Sequence, residues 1–135
     1  MADEKLLEYA ARFHGHLGPW LVLGLRAGLY ARRVLRAGPF ELEAVVTSPA
    51  WPPHSCFIDG IQVGSGCTMG KGNITHRAGR SVSVRFSRVA SSKRLSLRVR
   101  AEVASELEKM TSPETVARAL FARPLRRLFV VRRSA

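Results

Sequence analysis

Residues Pro19 to Gly38 read PWLVLGLRAGLYARRVLRAG, and the predicted architecture is organised around them. Proline suits the first turn of a helix and glycine suits its end, so a helix is predicted from Pro19 to about Ala37, with Gly38 as its stop. Glycine is costly inside a helix. Gly24 and Gly28 therefore indicate close packing against another backbone, within the fold or in a dimer.

Helices and strands occur in mixed order around this segment. An apolar stripe predicts a helix over Glu4–Phe13 with Asp3 as N-cap, and Ser55 is expected to cap a helix from Cys56 to about Val63. Residues 101–110 fit either a strand or a helix. A last helix begins at Ser112-Pro113-Glu114 and ends before Pro124. The predicted strands are Phe40–Val46, Asn73–Thr75, Ser81–Arg88, Leu95–Val99 and Leu128–Val131, with a turn at Ala78-Gly79 joining the second and third.

These elements predict one α+β domain over residues 1–135, in which an antiparallel sheet packs with N-terminal helices. A chain of 135 residues is long enough for a hydrophobic core. The N-terminus is acidic and polar, unlike a secretory signal, and the apolar run Leu17–Leu25 is too short to cross a bilayer. We therefore expect a soluble cytoplasmic protein without a membrane partner.

The formal net charge of +12 indicates attraction to an anionic partner. Nucleic acid, anionic lipid, an anionic substrate and an acidic protein chain all fit this charge. The basic residues are spread along the chain, and aromatic residues are scarce, which weakens the prediction of a nucleic-acid stacking surface. Two cysteines do not make a disulfide framework.

The glycine-rich segment VGSGCTMGKGN, residues 63–73, does not match a nucleotide-binding loop. A P-loop would need glycine at Ser65 and Ser or Thr at Gly72. The dinucleotide fingerprint would need glycine at Met69. The glycines are instead expected to permit positive φ angles, or a close backbone approach, around Cys67.

Histidine nitrogen and cysteine thiolate are the usual donors for zinc and related divalent metals. His14 and His16 flank one glycine, and alternate residues of an extended loop share a face. Cys56 begins a predicted helix, where a lowered thiol pKa is expected. Without further information, buried core thiols and solvent-facing histidines are the more common explanation of Cys56, Cys67 and the His-Gly-His loop.

Three polar residues near the cysteines each have a functional and an ordinary interpretation. Lys71 supplies either a mobile charge for an anion, or an amine with a shifted pKa, or an ordinary surface charge at a turn. Asp59 either orients a ligand histidine or favours the start of its helix. Gln62 is similarly open.

Three motifs occur in order: FHGHLGP at residues 13–19, CFIDGIQ at residues 56–62 and GCTMGKGN at residues 66–73. Together they resemble the signature of the FmdE family, which is named after a component of formylmethanofuran dehydrogenase. That signature has a His-Gly-His loop before Cys-Pro, a Cys-x-x-Asp-Ala-Ile-Gln helix and a Gly-Cys-Thr-x-Gly-Lys-Gly-Asn loop. The resemblance is strong from about His14 to Asn73 and general beyond it.

The resemblance implies an α+β core, commonly dimeric, with the motifs gathered around one pocket. Zinc or another divalent transition metal is the ion we expect there, because histidine nitrogen and thiolate are its usual donors. The family is associated with molybdenum or tungsten enzymes that form formylmethanofuran from carbon dioxide. Carried over by position, the implied metal ligands are His14, His16, Cys56 and Cys67, the catalytic candidates are Cys56, Cys67 and Lys71, and the cofactor-binding candidates are Gln62 and Asn73.

The sequence departs from the family pattern at two positions within the motifs. Gly18 stands where the family has a cysteine, so one candidate thiol is missing, and Gly60 replaces an alanine, which reads as a minor change. The chain is also expected to be a short stand-alone member without the cysteine-rich zinc-binding module that many members append.

Three functions are consistent with these residues. The first is a metal-binding protein, linked to formylmethanofuran dehydrogenase and one-carbon redox metabolism, that forms a homodimer. The second is a non-catalytic accessory subunit that docks on an acidic partner within a larger oxidoreductase complex. The third, ranked last, is a basic nucleic-acid-binding module. Whether the chain is an enzyme is left open.

Overall fold

The structure, a computed structural model, describes residues 2–134. Within this range the chain forms six helices and one five-stranded sheet. The helices are α1 (Ala2–His14), α2 (Pro19–Leu35), α3 (Cys56–Ser65), α4 (Ala101–Glu108), α5 (Pro113–Ala122) and α6 (Leu125–Leu128), and the strands are β1 (Leu42–Ser48), β2 (Ile74–Ala78), β3 (Ser83–Arg88), β4 (Arg94–Val99) and β5 (Phe129–Ser134).

The sheet has the strand order β2-β1-β3-β4-β5. The pairs β1–β3, β3–β4 and β4–β5 are antiparallel, which confirms the predicted α+β class. Strand β2 is parallel to β1, because helix α3 forms the crossover between them. The turn at Ala78-Gly79 therefore does not make a hairpin, since β1 lies between the two strands that this turn joins.

The core lies between the inner face of the sheet and helix α2. Alternate residues of β1 and β4, among them Leu42, Val46 and Leu97, are fully buried on this face. Helix α2 is buried on nearly all sides, as expected for a central helix that contacts both the sheet and other helices. No helix of residues 2–134 combines the length and apolarity needed to cross a bilayer.

Helices α2 and α3 pack backbone to backbone through glycines. A Cβ atom added at Gly24 would lie 2.8 Å from the backbone nitrogen of Ile61, and one added at Gly60 would lie 2.6 Å from that of Leu25. Close packing within the fold, predicted for Gly24, is thereby confirmed. The interpretation of Gly60 as a minor change is wrong, because this contact leaves no room for the methyl group of an alanine.

One helix boundary and one helix cap differ from the sequence prediction. Helix α2 ends at Leu35, and Arg36 adopts a left-handed conformation (φ 51°), so the stop precedes Gly38. The Arg88 guanidinium donates to the carbonyls of Leu35 and Arg36 and satisfies that end of the helix. Helix α3 begins at Cys56 as predicted, but the Ser55 side chain makes no capping hydrogen bond.

Candidate functional site

The His-Gly-His loop joins α1 to α2 and meets the first turns of α3. His14 is the last residue of α1, and its Nδ1 lies 2.6 Å from Oδ2 of Asp59 on α3. The His14 side chain is 12% exposed and that of Asp59 is 36% exposed, so the imidazole is largely buried while the carboxylate still meets water. When the Nδ1–H donates to this carboxylate, the lone pair of Nε2 remains available to a ligand.

His16 lies beside this pair on the exposed side of the loop. Its ring centroid is 5.0 Å from that of His14. A Cβ atom added at Gly18 would lie 2.8 Å from Cε1 of His16. The imidazole therefore occupies the space that a side chain at position 18, where the family pattern has cysteine, would need.

Cys56 begins helix α3 and is partly buried. Burial raises the pKa of its thiol, the Asp59 carboxylate one turn later raises it further, and a backbone hydrogen bond opposes the rise only in part. The predicted lowering of this pKa by the helix N-terminus is therefore wrong. Loss of hydration and a neighbouring negative charge both disfavour the thiolate, and together they outweigh the helix dipole.

Cys67 lies inside the protein, fully buried within the hydrophobic core. Its backbone N–H donates to Oγ of Ser65 over 3.0 Å, and that hydroxyl donates to the carbonyl of Ile61 over 2.6 Å. Burial raises the pKa of the Cys67 thiol, with Ser65 and Lys71 opposing the rise. Cys67 is accordingly a protonated core thiol at neutral pH.

The glycine loop is closed by its own side chains. The ammonium of Lys71 donates to the carbonyl of Gly66 and, over 3.1 Å, to Oγ1 of Thr68. The same ammonium lies 5.2 Å from the centre of the Phe40 ring, within range of a cation–π interaction. Gly72 has a φ of +73°, as expected for a glycine-rich turn.

Asn73 fixes the loop to the start of the sheet. Its Oδ1 accepts from the backbone N–H of Thr68 over 2.8 Å. Its Nδ2 donates to the carbonyls of Pro39 and Leu42 over 3.0 and 3.1 Å. Both ends of the Asn73 amide are thus engaged inside the chain, so its observed role is to position the loop.

Gln62 connects the glycine loop with the histidine. Its Oε1 accepts from the backbone N–H of Met69 over 3.0 Å, and its Nε2 donates to Oδ1 of Asp59 over 3.3 Å. Since Asp59 also holds His14, a continuous path of hydrogen bonds runs from the loop through α3 to the imidazole. The three sequence motifs therefore meet through Met69, Gln62, Asp59 and His14.

The donor set implied by the family resemblance is only partly assembled. Within residues 2–134, no three His, Cys, Asp or Glu side chains are grouped so that they could hold one metal ion. The structure brings His14, His16 and Asp59 together and places Cys56 near the Asp59 charge. The charged groups that act on Cys67 are instead Lys71 and Glu43.

Two contributors to the site carried no signal of their own in the sequence. Phe40 lies beneath the Lys71 ammonium, and the carbonyl of Pro39 accepts from Asn73. Both residues lie more than thirty positions before the groups they contact, and neither belongs to a motif. Only the fold brings them to the loop.

Comparison with known proteins places the three motifs in one family. Residues 13–128 match the family model described as "FmdE, Molybdenum formylmethanofuran dehydrogenase operon". This match spans all three motifs and most of the sheet, and the chain belongs to the FmdE family.

A curated protein of Archaeoglobus fulgidus, named "Probable S-adenosyl-L-methionine-binding protein", is 31% identical over 74 residues. The aligned segment is 53% of this chain and 20% of that relative. The chain thus matches about a fifth of the length of the archaeal protein.

Proposed function

We propose that this FmdE-family chain binds a divalent transition metal, with zinc as the first candidate, at the pocket between the His-Gly-His loop and α3. The observation that carries the proposal is the 2.6 Å contact between His14 and Asp59. A histidine that ligates a metal commonly donates its second ring nitrogen to a carboxylate, which fixes its tautomer and orientation. The contact with Asp59 gives His14 this arrangement.

The proposed donors are His14, His16 and Cys56. His16 is exposed and Cys56 is partly so, which leaves both side chains free to turn towards an ion. Three protein donors would leave one position of a tetrahedral zinc open. We assign Cys67 to the core and not to the donor set, because it is fully buried.

Metal binding at this pocket would be coupled to rearrangement. The donors are not grouped around one point in the described arrangement, and the Cys56 thiol must lose its proton to ligate. Zinc uptake should therefore release protons and weaken as the pH falls. Lys71, Gln62 and Asn73 hold the neighbouring loop in place while the exposed donors move.

We further propose that the protein acts as a cytoplasmic homodimer that works alongside the oxidoreductase named in its family description. Phe40 is 78% exposed and Met69 is 85% exposed, and both lie at the glycine loop, where an apolar partner surface would cover them. Cys56 and Cys67 are both free thiols, as expected in a reducing compartment. Docking as an accessory subunit uses the same exposed loop.

Metal analysis of the full-length protein tests the site. Elemental analysis and titration with Co²⁺ should show one metal ion per chain and a thiolate-to-cobalt absorption band. His14→Ala should abolish stoichiometric binding, and Cys56→Ser should remove the absorption band. His76→Ala is the matched control and should leave both unchanged. Wild-type protein that takes up no zinc or cobalt would disprove the metal site.

A further inference from the structure

The outer face of the sheet carries a cluster of arginines that the metal pocket does not use. Alternate strand residues that are not in the core point to this face, which helices α1, α2 and α3 do not cover. Arg85 lies on β3, Arg98 on β4 and Arg132 on β5, and all three side chains are exposed. Arg77 on β2 extends the set towards the sheet edge.

The strand register brings the first three arginines together. Arg85 pairs with Ser96, and Ser96 pairs with Arg132, so these two arginines lie on one cross-strand row with a serine between them. Their backbones are roughly 10 Å apart, which is twice the usual spacing between strands. Arg98, two residues after Ser96, is a diagonal neighbour of both.

Arg85, Arg98 and Arg132 form no ion pair with a carboxylate of residues 2–134, although Glu43 lies on the same face of the sheet, diagonal to Arg85. Within residues 2–134, the ion pairs of arginine involve Arg88, Arg118 and Arg123, and none involves the outer-face cluster. Each of the three arginines of the cluster is directly opposite a serine or a valine, so their like charges repel one another as diagonal neighbours and not as directly opposed pairs. We therefore expect a negatively charged ligand from outside the chain to bind these arginines and offset their repulsion.

The residues between the arginines make the surface concave. Ser83 and Ser96 lie among Arg85, Arg98 and Arg132, so the long side chains rise around a floor of small hydroxyl residues. The resulting hollow has a volume of about 360 Å³. Guanidinium groups bind phosphate oxygens through paired hydrogen bonds, and serine hydroxyls add further donors.

We propose that this hollow, the outer-face arginine site, binds a small anion that carries two or more phosphoryl groups. The limited volume of the hollow favours a small ligand over an extended chain. The hollow has no aromatic lining, so it offers no stacking surface for the bases of single-stranded nucleic acid. The site lies on the opposite side of the sheet from helix α2 and does not depend on the proposed metal pocket.

Calorimetric titration of the full-length protein with sodium tripolyphosphate tests the proposal. Wild-type protein should bind it at low salt, and the affinity should fall as salt is added. Arg85→Gln, Arg98→Gln and Arg132→Gln should each weaken binding about tenfold or more, because each removes charge-assisted hydrogen bonds. Arg12→Gln, an exposed arginine on α1, is the matched control and should bind as wild type does.

Thermal unfolding gives a second measurement that separates binding from folding. Without anion, the three cluster variants should unfold at or above the wild-type temperature, because like-charge repulsion is relieved. Tripolyphosphate should raise the midpoint of wild type and of Arg12→Gln, and raise it much less in the cluster variants.

Three outcomes would overturn the proposal. One is equal weakening of tripolyphosphate binding in the cluster variants and in Arg12→Gln, which would mean diffuse attraction to the basic surface. Another is citrate binding at least as tight as tripolyphosphate, which would exclude selection for phosphoryl groups. The last is cluster-dependent binding of duplex RNA with no binding of tripolyphosphate, which would make nucleic acid the partner.

Discussion

His14 and Asp59 are 45 residues apart in sequence and are joined by a 2.6 Å contact between Nδ1 and Oδ2. The contact ties the end of α1 to the first turns of α3, and Gln62 extends it to the glycine loop. Asp59 contacts Nδ1 of His14, and the proposed metal would bind the other ring nitrogen, Nε2. Asp59 would therefore influence the metal through His14. Asp59 is accordingly a positioning residue in the proposed metal pocket.

Replacing Asp59 with asparagine should weaken zinc binding without preventing folding. The amide keeps the size of the carboxylate but loses its charge, and removal of such a partner typically costs about 10- to 100-fold in metal affinity. Competition with a chelator of known affinity measures the change. Glu8→Gln, an exposed carboxylate on α1 outside the pocket, should leave zinc affinity unchanged. Equal affinities for Asp59→Asn and wild type would remove Asp59 from the site.

Gly60→Ala should destabilise the protein by roughly 1–3 kcal/mol, the usual range for overpacking. The new Cβ would lie 2.6 Å from the backbone nitrogen of Leu25, and backbone cannot rotate away as a flexible side chain can. The penalty should exceed the roughly 1 kcal/mol that alanine gains over glycine in helix propensity. Urea unfolding monitored by circular dichroism measures the difference.

Gly70→Ala is the matched control for this substitution. Nothing lies within 4 Å of a Cβ atom added at Gly70, and its φ is not positive. Its stability should remain within about 0.5 kcal/mol of wild type, as is usual for open surface positions. If Gly60→Ala were as stable as Gly70→Ala, the two helices would not be in the close contact described.

Local chemistry in the sequence predicted most of the elements, because their signals lie within a few residues. Pro19 and Pro113 mark helix starts, and the alternation of β4 predicts its buried face. The order of β2, β1 and β3 was not predicted. Pairing is a long-range property, and the crossover through α3 places β2 beside β1 in parallel.

The candidate site was predicted as a set of residues but not as an arrangement. Family resemblance singled out His14 and Cys67, yet Cys67 lies in the core, because Ser65 and Gly66 turn the chain inward after α3. Glycine residues around a cysteine do not by themselves show whether that cysteine is buried in the core or lies in an exposed loop. The arginine cluster was also hidden, because Arg85, Arg98 and Arg132 are neighbours only through the strand register.

The two cysteines should differ sharply in their reaction with iodoacetamide. Cys56 is partly exposed, whereas Cys67 is fully buried. In the native protein only Cys56 should be alkylated, and Cys67 should react only when urea unfolds the chain. Because burial and Asp59 raise the Cys56 pKa, its alkylation rate should be low at neutral pH and rise as the pH increases. Mass spectrometry of peptides after timed quenching follows each thiol, and Cys67 alkylation in native protein would contradict its burial.

The ion pair of Glu106 with Arg123 should make a small, acid-sensitive contribution to stability. Two hydrogen bonds, of 3.1 and 2.9 Å, join the carboxylate on α4 to the guanidinium that follows α5. They lower the pKa of Glu106 below its usual value, so the native state favours the carboxylate. The contribution is present above the unfolded-state pKa and is lost as the pH falls through the lower folded-state pKa.

Glu106→Gln should therefore destabilise the protein at pH 7 by no more than about 1 kcal/mol, the usual limit for an exposed pair. The difference in stability between Glu106→Gln and wild type should shrink as the pH is lowered through the folded-state pKa of Glu106. Thermal unfolding at several pH values measures this convergence, with Glu102→Gln on the same helix as the control. A difference that stayed constant down to the acid limit would assign the effect to helix packing and not to the charge pair.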